Sequence, residues 1–123
     1  MIRLEDVWKV YDKKGAEIYA LREVSLLLAE HEYVSVAGAS GSGKTTLLNI
    51  IGTIDTPTKG NVYIDQQTVA RLSDRMVSRL RRKYIGFIFQ AYNLVPNLTA
   101  WENVALPLYY DGLRNKQERR TRA

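Results

Sequence analysis

The stretch Gly38-Ala39-Ser40-Gly41-Ser42-Gly43-Lys44-Thr45 matches the pattern G-x-x-x-x-G-K-[ST] without a gap. No other part of the chain restricts its fold as strongly, because this spacing works only as a turn between a strand and a helix. Glycines let backbone N–H groups approach an anion closely and take conformations barred to other residues. A helix beginning near Lys44 directs its positive dipole end at the same point. The Lys44 ammonium is a compact charge for the β and γ phosphates, and the Thr45 hydroxyl is placed to ligate Mg²⁺. Thr46 follows in the same first turn and joins the cofactor-binding set. The expected ligand is a nucleoside triphosphate, ATP with Mg²⁺ in the first instance.

The flanks suit that context. Tyr33 to Ala37 is a short apolar run that reads as a buried strand stopping at Gly38. After Lys44 come Thr46, Leu47, Leu48, Ile50 and Ile51, apolar on more than one side, as in a helix held between layers. Before the loop, Ile2, Leu4, Asp6 and Trp8 alternate with Arg3, Glu5 and Val7, as in a half-buried strand, and Tyr19 to Leu28 reads as another. Beyond Pro57 and Gly60, residues 61–65 read as a strand. Residues 69–83 carry Leu72, Met76, Val77 and Leu80 at helical spacing, with arginines on the opposite face. Tyr84 to Phe89 reads as a further strand. Thr99-Ala100-Trp101-Glu102 fits a capping box and predicts a helix start. Residues 114–123 are polar and basic, and read as a helix barely begun or a frayed tail.

Bulk properties narrow the possibilities further. The 123 residues are enough for one small domain, and a hydrophobic share of 46% supports a core. The chain has no cysteine, which excludes disulfides and thiolate metal sites. The net charge of +5 is compatible with nucleic acid or anionic surfaces, but by itself describes no more than a soluble surface. The N-terminal segment carries charges throughout and does not read as a secretory signal. No apolar run approaches the ~20 residues needed to cross a bilayer, so a membrane role calls for a partner that does the spanning.

Two features separate the possible classes of phosphate-binding protein. A sizeable segment with two strand-like stretches precedes the loop, whereas in small-molecule kinases the loop usually follows the first strand. Downstream, Ile85-Gly86-Phe87-Ile88-Phe89 ends in Gln90. With these residues in place, the chain resembles the ATP-binding subunit of ABC transporters over nearly its whole length. ASGSGKTTLLNIIGTIDTPTKGNVYID resembles the family's stretch from the P-loop to the strand after it, and IGFIFQAYNLVPNLTAWENVALPL its Q-loop region. Residues 89–108 are especially similar to the macrolide-export and lipoprotein-release subfamily.

The resemblance implies an α/β fold: a P-loop NTPase core with an N-terminal antiparallel β subdomain, incomplete at the C-terminal side. Residues 1–123 are then the N-terminal portion of a nucleotide-binding domain. The β subdomain and P-loop core run to about residue 90, and the Q-loop and the start of a helical subdomain follow over about 90–123. The resemblance implies that Tyr11 stacks on adenine and that Gln90 approaches Mg²⁺ and the attacking water. It implies that residues 91–103 face a membrane permease and that a second nucleotide-binding subunit completes a dimer. The setting would be the cytoplasmic face of the cell membrane. Two positions depart from the family pattern. His31 stands before Glu32 where the family usually has glycine, and Gln66 and Gln67 stand where glycine is common after the strand.

The LSGGQ-like signature, the acidic residue closing a second apolar strand, its adjacent glutamate and the switch histidine of that family do not occur in these 123 residues. The expectation is a chain that binds ATP without turning it over, is marginal in stability, and leaves apolar surface such as Leu47, Ile50 and Ile51 exposed. Two alternatives belong to other classes. One is a small P-loop phosphotransferase, with Arg79, Arg81 and Arg82 as a mobile lid. The other is a basic nucleic-acid module using the face of 71–83 and the tail 114–123, although no nucleic-acid motif accompanies those charges.

Overall fold

The computed structural model describes residues 1–123, which form two units, Met1–Gly86 and Phe87–Ala123. The first is built on a four-stranded antiparallel sheet in the order β2-β1-β3-β4, from β1 (Ile2–Lys13), β2 (Ala16–Leu28), β3 (Lys59–Ile64) and β4 (Gln67–Thr68). Helix α1 (Lys44–Ile51) lies between β2 and β3 in sequence. A single 3₁₀ turn (Val69–Arg71) and helix α2 (Asp74–Tyr84) follow β4. The helical reading of 69–83 is therefore divided. Leu72 and Ser73 are extended, and the α-helix starts only at Asp74.

Strict alternation along β1 fails at Asp6. Leu4 and Val7, three residues apart, are both buried, because the register slips between them. Asp6 takes a φ of +46° and, across the ribbon, Glu23 takes +51°. The Asp6 amide donates to Ser25 Oγ at 3.0 Å, and that hydroxyl donates to Asp6 Oδ1 at 3.1 Å. The extra residue is a bulge, which turns Val7 into the core and bends the ribbon. On the other side of β1, Gly60 accommodates the same irregularity. A Cβ there would stand 2.3 Å from Asp6 O and 2.5 Å from Glu5 O, so only glycine fits.

Leu4, Val7 and Leu21 of the ribbon join Val62, Ile64, Val69, Ile50 of α1 and Leu80 of α2 in one buried cluster. Full burial of such side chains is worth about 1.5–3 kcal/mol each, which makes this cluster the chief support of the unit. The expected exposure of Leu47, Ile50 and Ile51 is not observed. Ile50 is fully buried, and Leu47 and Ile51 pack against the core. The open apolar surface is elsewhere. Residues 33–37 and 84–89, both read as strands, form no strand: Tyr84 ends α2, the rest are irregular, and Tyr33 (96%) and Ile88 (98%) are almost wholly exposed. A strand is stable only as part of a ladder, and neither segment has a ladder partner in this chain.

Of the departures from the family's glycines, His31 and Gln66 fall on turns, while Gln67 opens β4. His31 has φ +62° in an exposed turn. Asp65 and Gln66 both have positive φ (+49° and +64°) in the two-residue connection between β3 and β4. Left-handed backbone at both central residues is the pattern of a type I′ hairpin turn. The turns are therefore made with ordinary residues that glycine would relieve.

In the second unit, α3 (Ala100–Tyr110) and α4 (Lys116–Arg122) pack as a hairpin. Glu102 accepts from the Thr99 amide at 3.0 Å and the Thr99 hydroxyl at 2.6 Å, as the capping-box spacing predicts. Those two bonds, the hydroxyl's first, hold the Glu102 carboxyl below its ordinary pKa. Pro107 lies inside α3. The basic tail is not frayed. Lys116 and Arg120 lie over the Trp101 ring at 5.7 and 5.8 Å, and Arg114 and Arg119 over Tyr109 at 4.8 and 5.1 Å. Arg119 also donates to Leu113 O and Arg114 O, each at 2.9 Å.

Candidate nucleotide-binding site

Between Glu32 and Gly43 the chain has no regular structure, and α1 begins at Lys44. Gly43 is its N-cap, at φ +91°. That position admits no side chain, since a Cβ would meet Ala20 O at 2.3 Å and Leu21 Cδ2 at 3.2 Å. Glycine lets the loop enter the helix while pressed against β2, but it brings no capping oxygen, and no side chain caps α1. The first turn, which contains Lys44, Thr45 and Thr46, thus keeps amides without intrahelical partners beside the loop. Gly41 is also left-handed (φ +76°), and Ser42 N donates to Ala39 O at 3.3 Å, closing the turn.

Lys44 curls back over this loop. Its ammonium donates to Gly38 O at 2.9 Å and to Ala39 O at 2.7 Å. Both partners are neutral carbonyls, and no carboxylate neutralises the ammonium. Thr45 is exposed, and Thr46 is half-buried. Gly38 to Thr46 therefore gather open amides, an unneutralised cation and an exposed hydroxyl at one helix end. This donor set fits a polyphosphate with its metal ion. No group of three or more Asp, Glu, His or Cys forms a metal cage of its own, so a bound Mg²⁺ would share its ligands with the phosphates.

Tyr11 lies near the end of β1, 38% exposed. Its hydroxyl donates to Asp55 Oδ2 at 2.8 Å, and Lys9 Nζ lies 4.9 Å from its ring centroid. The same ammonium donates to Asp55 Oδ1 at 2.6 Å and to Thr56 O at 2.9 Å. Burial pushes the Asp55 carboxyl up, but Lys9, the Tyr11 hydroxyl and the Thr56 amide outweigh it and hold the group below its usual range. The base-stacking expectation attached to Tyr11 thus acquires two neighbours that sequence reasoning did not single out. They are 46 residues apart in the chain, and no local pattern joins them.

Tyr11 and the phosphate loop both border the β1–β2 ribbon, Tyr11 paired with Ile18 and Gly43 against Ala20 and Leu21. Lys9 pairs with Leu21 and Val10 with Tyr19. Gln90 belongs to the second unit, where it is exposed and follows the irregular segment 85–89. A cavity of about 620 Å³ lies between the 53–60 loop and α2, and none of Gly38–Thr46 lines it. Arg81 borders it and donates to Thr53 O at 2.8 Å. This anchored arginine does not suit the mobile-lid role of the phosphotransferase alternative. The arginines and lysine folded onto Trp101 and Tyr109 are likewise committed within their own hairpin, which weakens the nucleic-acid alternative.

The sequence model of the ABC transporter family matches residues 21–123. An uncharacterized ABC transporter ATP-binding protein of Thermotoga maritima is 50% identical over 98% of this chain and 51% of its own length. The corresponding protein MJ0796 of Methanocaldococcus jannaschii is 53% identical over all of this chain and 53% of its own. The macrolide export ATP-binding/permease protein MacB of Brucella abortus is 44% identical over all of this chain and 19% of its own length. Among solved structures, the dimeric post-hydrolysis state of the MJ0796 ATP-binding cassette, bound to ADP and Pi, superposes with a TM-score of 0.92 at 49% identity. It is covered over 53% of its length, and this chain over 99%. The chain therefore spans about half the length of these single-cassette relatives.

Proposed function

This chain belongs to the ABC transporter family, and we propose that it contributes the phosphate-holding half of an ATP-binding component that powers transport through a membrane permease. The observation that carries this reading is the Lys44 ammonium, bound only by the loop's own carbonyls beside an uncapped helix start. A triphosphate would draw the ammonium off Gly38 and Ala39 and exchange two neutral acceptors for charged ones, whose hydrogen bonds are roughly twice as strong. The amides of the first turn would receive the remaining phosphate oxygens. The Thr45 hydroxyl would help hold Mg²⁺, which would supply charge stabilisation at the phosphates. Tyr11 would stack on the adenine, and Gln90 would reach the metal and the attacking water.

The region after Gln90 would meet the permease, and a second cassette would complete a dimer like that of MJ0796. No helix is long and apolar enough to cross a membrane, which suits a subunit held at the membrane's cytoplasmic face by a partner. These 123 residues alone are expected to bind Mg·ATP without measurable hydrolysis. Titration calorimetry with Mg·ATP tests the reading. Lys44→Ala should weaken binding by about tenfold or more, as expected for loss of a charge-assisted contact. Absence of binding by the unmodified chain at millimolar Mg·ATP would refute it.

A further inference from the structure

We propose that Asp55 is a positioning residue for nucleotide binding, one that fixes the plane of the Tyr11 ring and couples it to the helix that holds the phosphates. The proposal rests on the reading of Tyr11 as the adenine platform and adds residues that this reading does not contain.

The carboxylate has a different task on each side. Oδ2 accepts from the Tyr11 hydroxyl at 2.8 Å, which holds the outer end of the ring. Oδ1 accepts from Lys9 Nζ at 2.6 Å and from the Thr56 amide at 2.7 Å. The ammonium so held lies over the Tyr11 ring, 4.9 Å from its centroid. A base stacking on the ring would take the face away from this ammonium. A cation on one face also draws ring electron density towards itself, making the opposite face a better partner for an electron-rich purine.

Asp55 is itself fixed with respect to α1. Its amide, at 3.2 Å, and that of Ile54, at 2.8 Å, both donate to Asn49 O in the last turn of the helix. The loop is also fastened on both flanks. Thr58 N donates to Trp8 O at 2.8 Å, Val10 N donates to Thr58 Oγ1 at 3.0 Å, and Arg81 donates to Thr53 O at 2.8 Å. At the other end of α1, Gly43 abuts Ala20 and Leu21, on the strand paired with Lys9 and Val10. The helix therefore bears on the β1–β2 ribbon at both ends, through Gly43 at the phosphate end and Asp55 at the base end. A ring anchored in this way loses little freedom when a base stacks on it, whereas a free tyrosine must be immobilised first.

The test compares two probes on the full chain, Mg·ATP and Mg·tripolyphosphate, which lacks the base. Tyr11→Ala should cut ATP affinity about tenfold, the worth of one stacked base, and leave tripolyphosphate unchanged. Tyr11→Phe keeps the ring and removes its bond to Asp55, so it should weaken ATP by about threefold, again without effect on tripolyphosphate. Asp55→Ala should match or exceed Tyr11→Phe in the same selective sense. If Tyr11→Ala alone is selective, the positioning role is wrong and the stacking reading survives. If Tyr11→Ala is not selective, the stacking reading fails and the proposal fails with it. Should Asp55→Ala weaken both probes equally while Tyr11→Phe changes neither, Asp55 is a structural residue and the proposal is overturned. Tyr11→Phe decides the matter if Asp55→Ala does not fold.

Discussion

At the scale of single residues, this chain combines obligatory glycines with turns made from residues poorly suited to them. Gly43 and Gly60 sit where a Cβ would collide with backbone oxygen at 2.3 Å. Gln66 instead occupies a left-handed position in open solvent. Relief of that conformation gains about 1–2 kcal/mol, from which the extra entropy of an unfolded glycine removes about 0.5–1. Gln66→Gly should therefore raise stability by about 0.5–1 kcal/mol, as read by urea denaturation. Asp55 yields a pH dependence. Its folded pKa lies below the unfolded value, so its contribution is fully present above the unfolded pKa of about 3.9. It is lost as pH falls from there through the folded value. The urea midpoint of the unmodified chain should drop more steeply below about pH 4 than that of Asp55→Asn, and parallel curves would remove Asp55 from the account.

Among the elements, local chemistry decides the helices and partnership decides the strands. The start of α3 follows from the Thr99–Glu102 pair, both ends of which lie within one turn. Helix α4 is short and strongly basic, and it persists because its cations cover Trp101 and Tyr109. Short helices are marginal on their own, so Trp101→Ala should release α4. The loss should be about seven helical residues in circular dichroism, with faster amide exchange confined to 116–122. Retention of those amides' protection would show that Arg119 and its carbonyl bonds suffice. Residues 33–37 and 85–89 show the opposite dependence. Their composition is that of buried strands, yet with no ladder to join they remain irregular.

At the scale of the whole molecule, the β1–β2 ribbon, β3, α1 and α2 close one core, and apolar surface remains outside it. Tyr33 and Ile88 are almost fully solvated, and large exposed apolar residues favour association. Tyr33→Ser and Ile88→Ser should lower dye binding and concentration-dependent aggregation. Each should change the unfolding free energy by less than about 0.5 kcal/mol. A large loss of stability in either variant would show that the side chain is buried after all.

What the residues determined unaided is whatever rests on short separations. The phosphate loop with its helix, the capping box and the presence of most strands and helices all arise within a few positions of one another, where spacing and conformational preference act directly. The resemblance to the ABC family was legible for the same reason, in contiguous stretches around Gly38–Thr45 and Gln90. The tertiary structure alone decided the bulge that turns Val7 inward, the folding of the basic tail onto α3, and the fate of the apolar runs that lack a ladder. It alone joined Tyr11 to Lys9 and Asp55. These outcomes depend on groups brought together across the sheet from distant parts of the chain. Hydrogen bonding and burial then favour arrangements that no local pattern specifies.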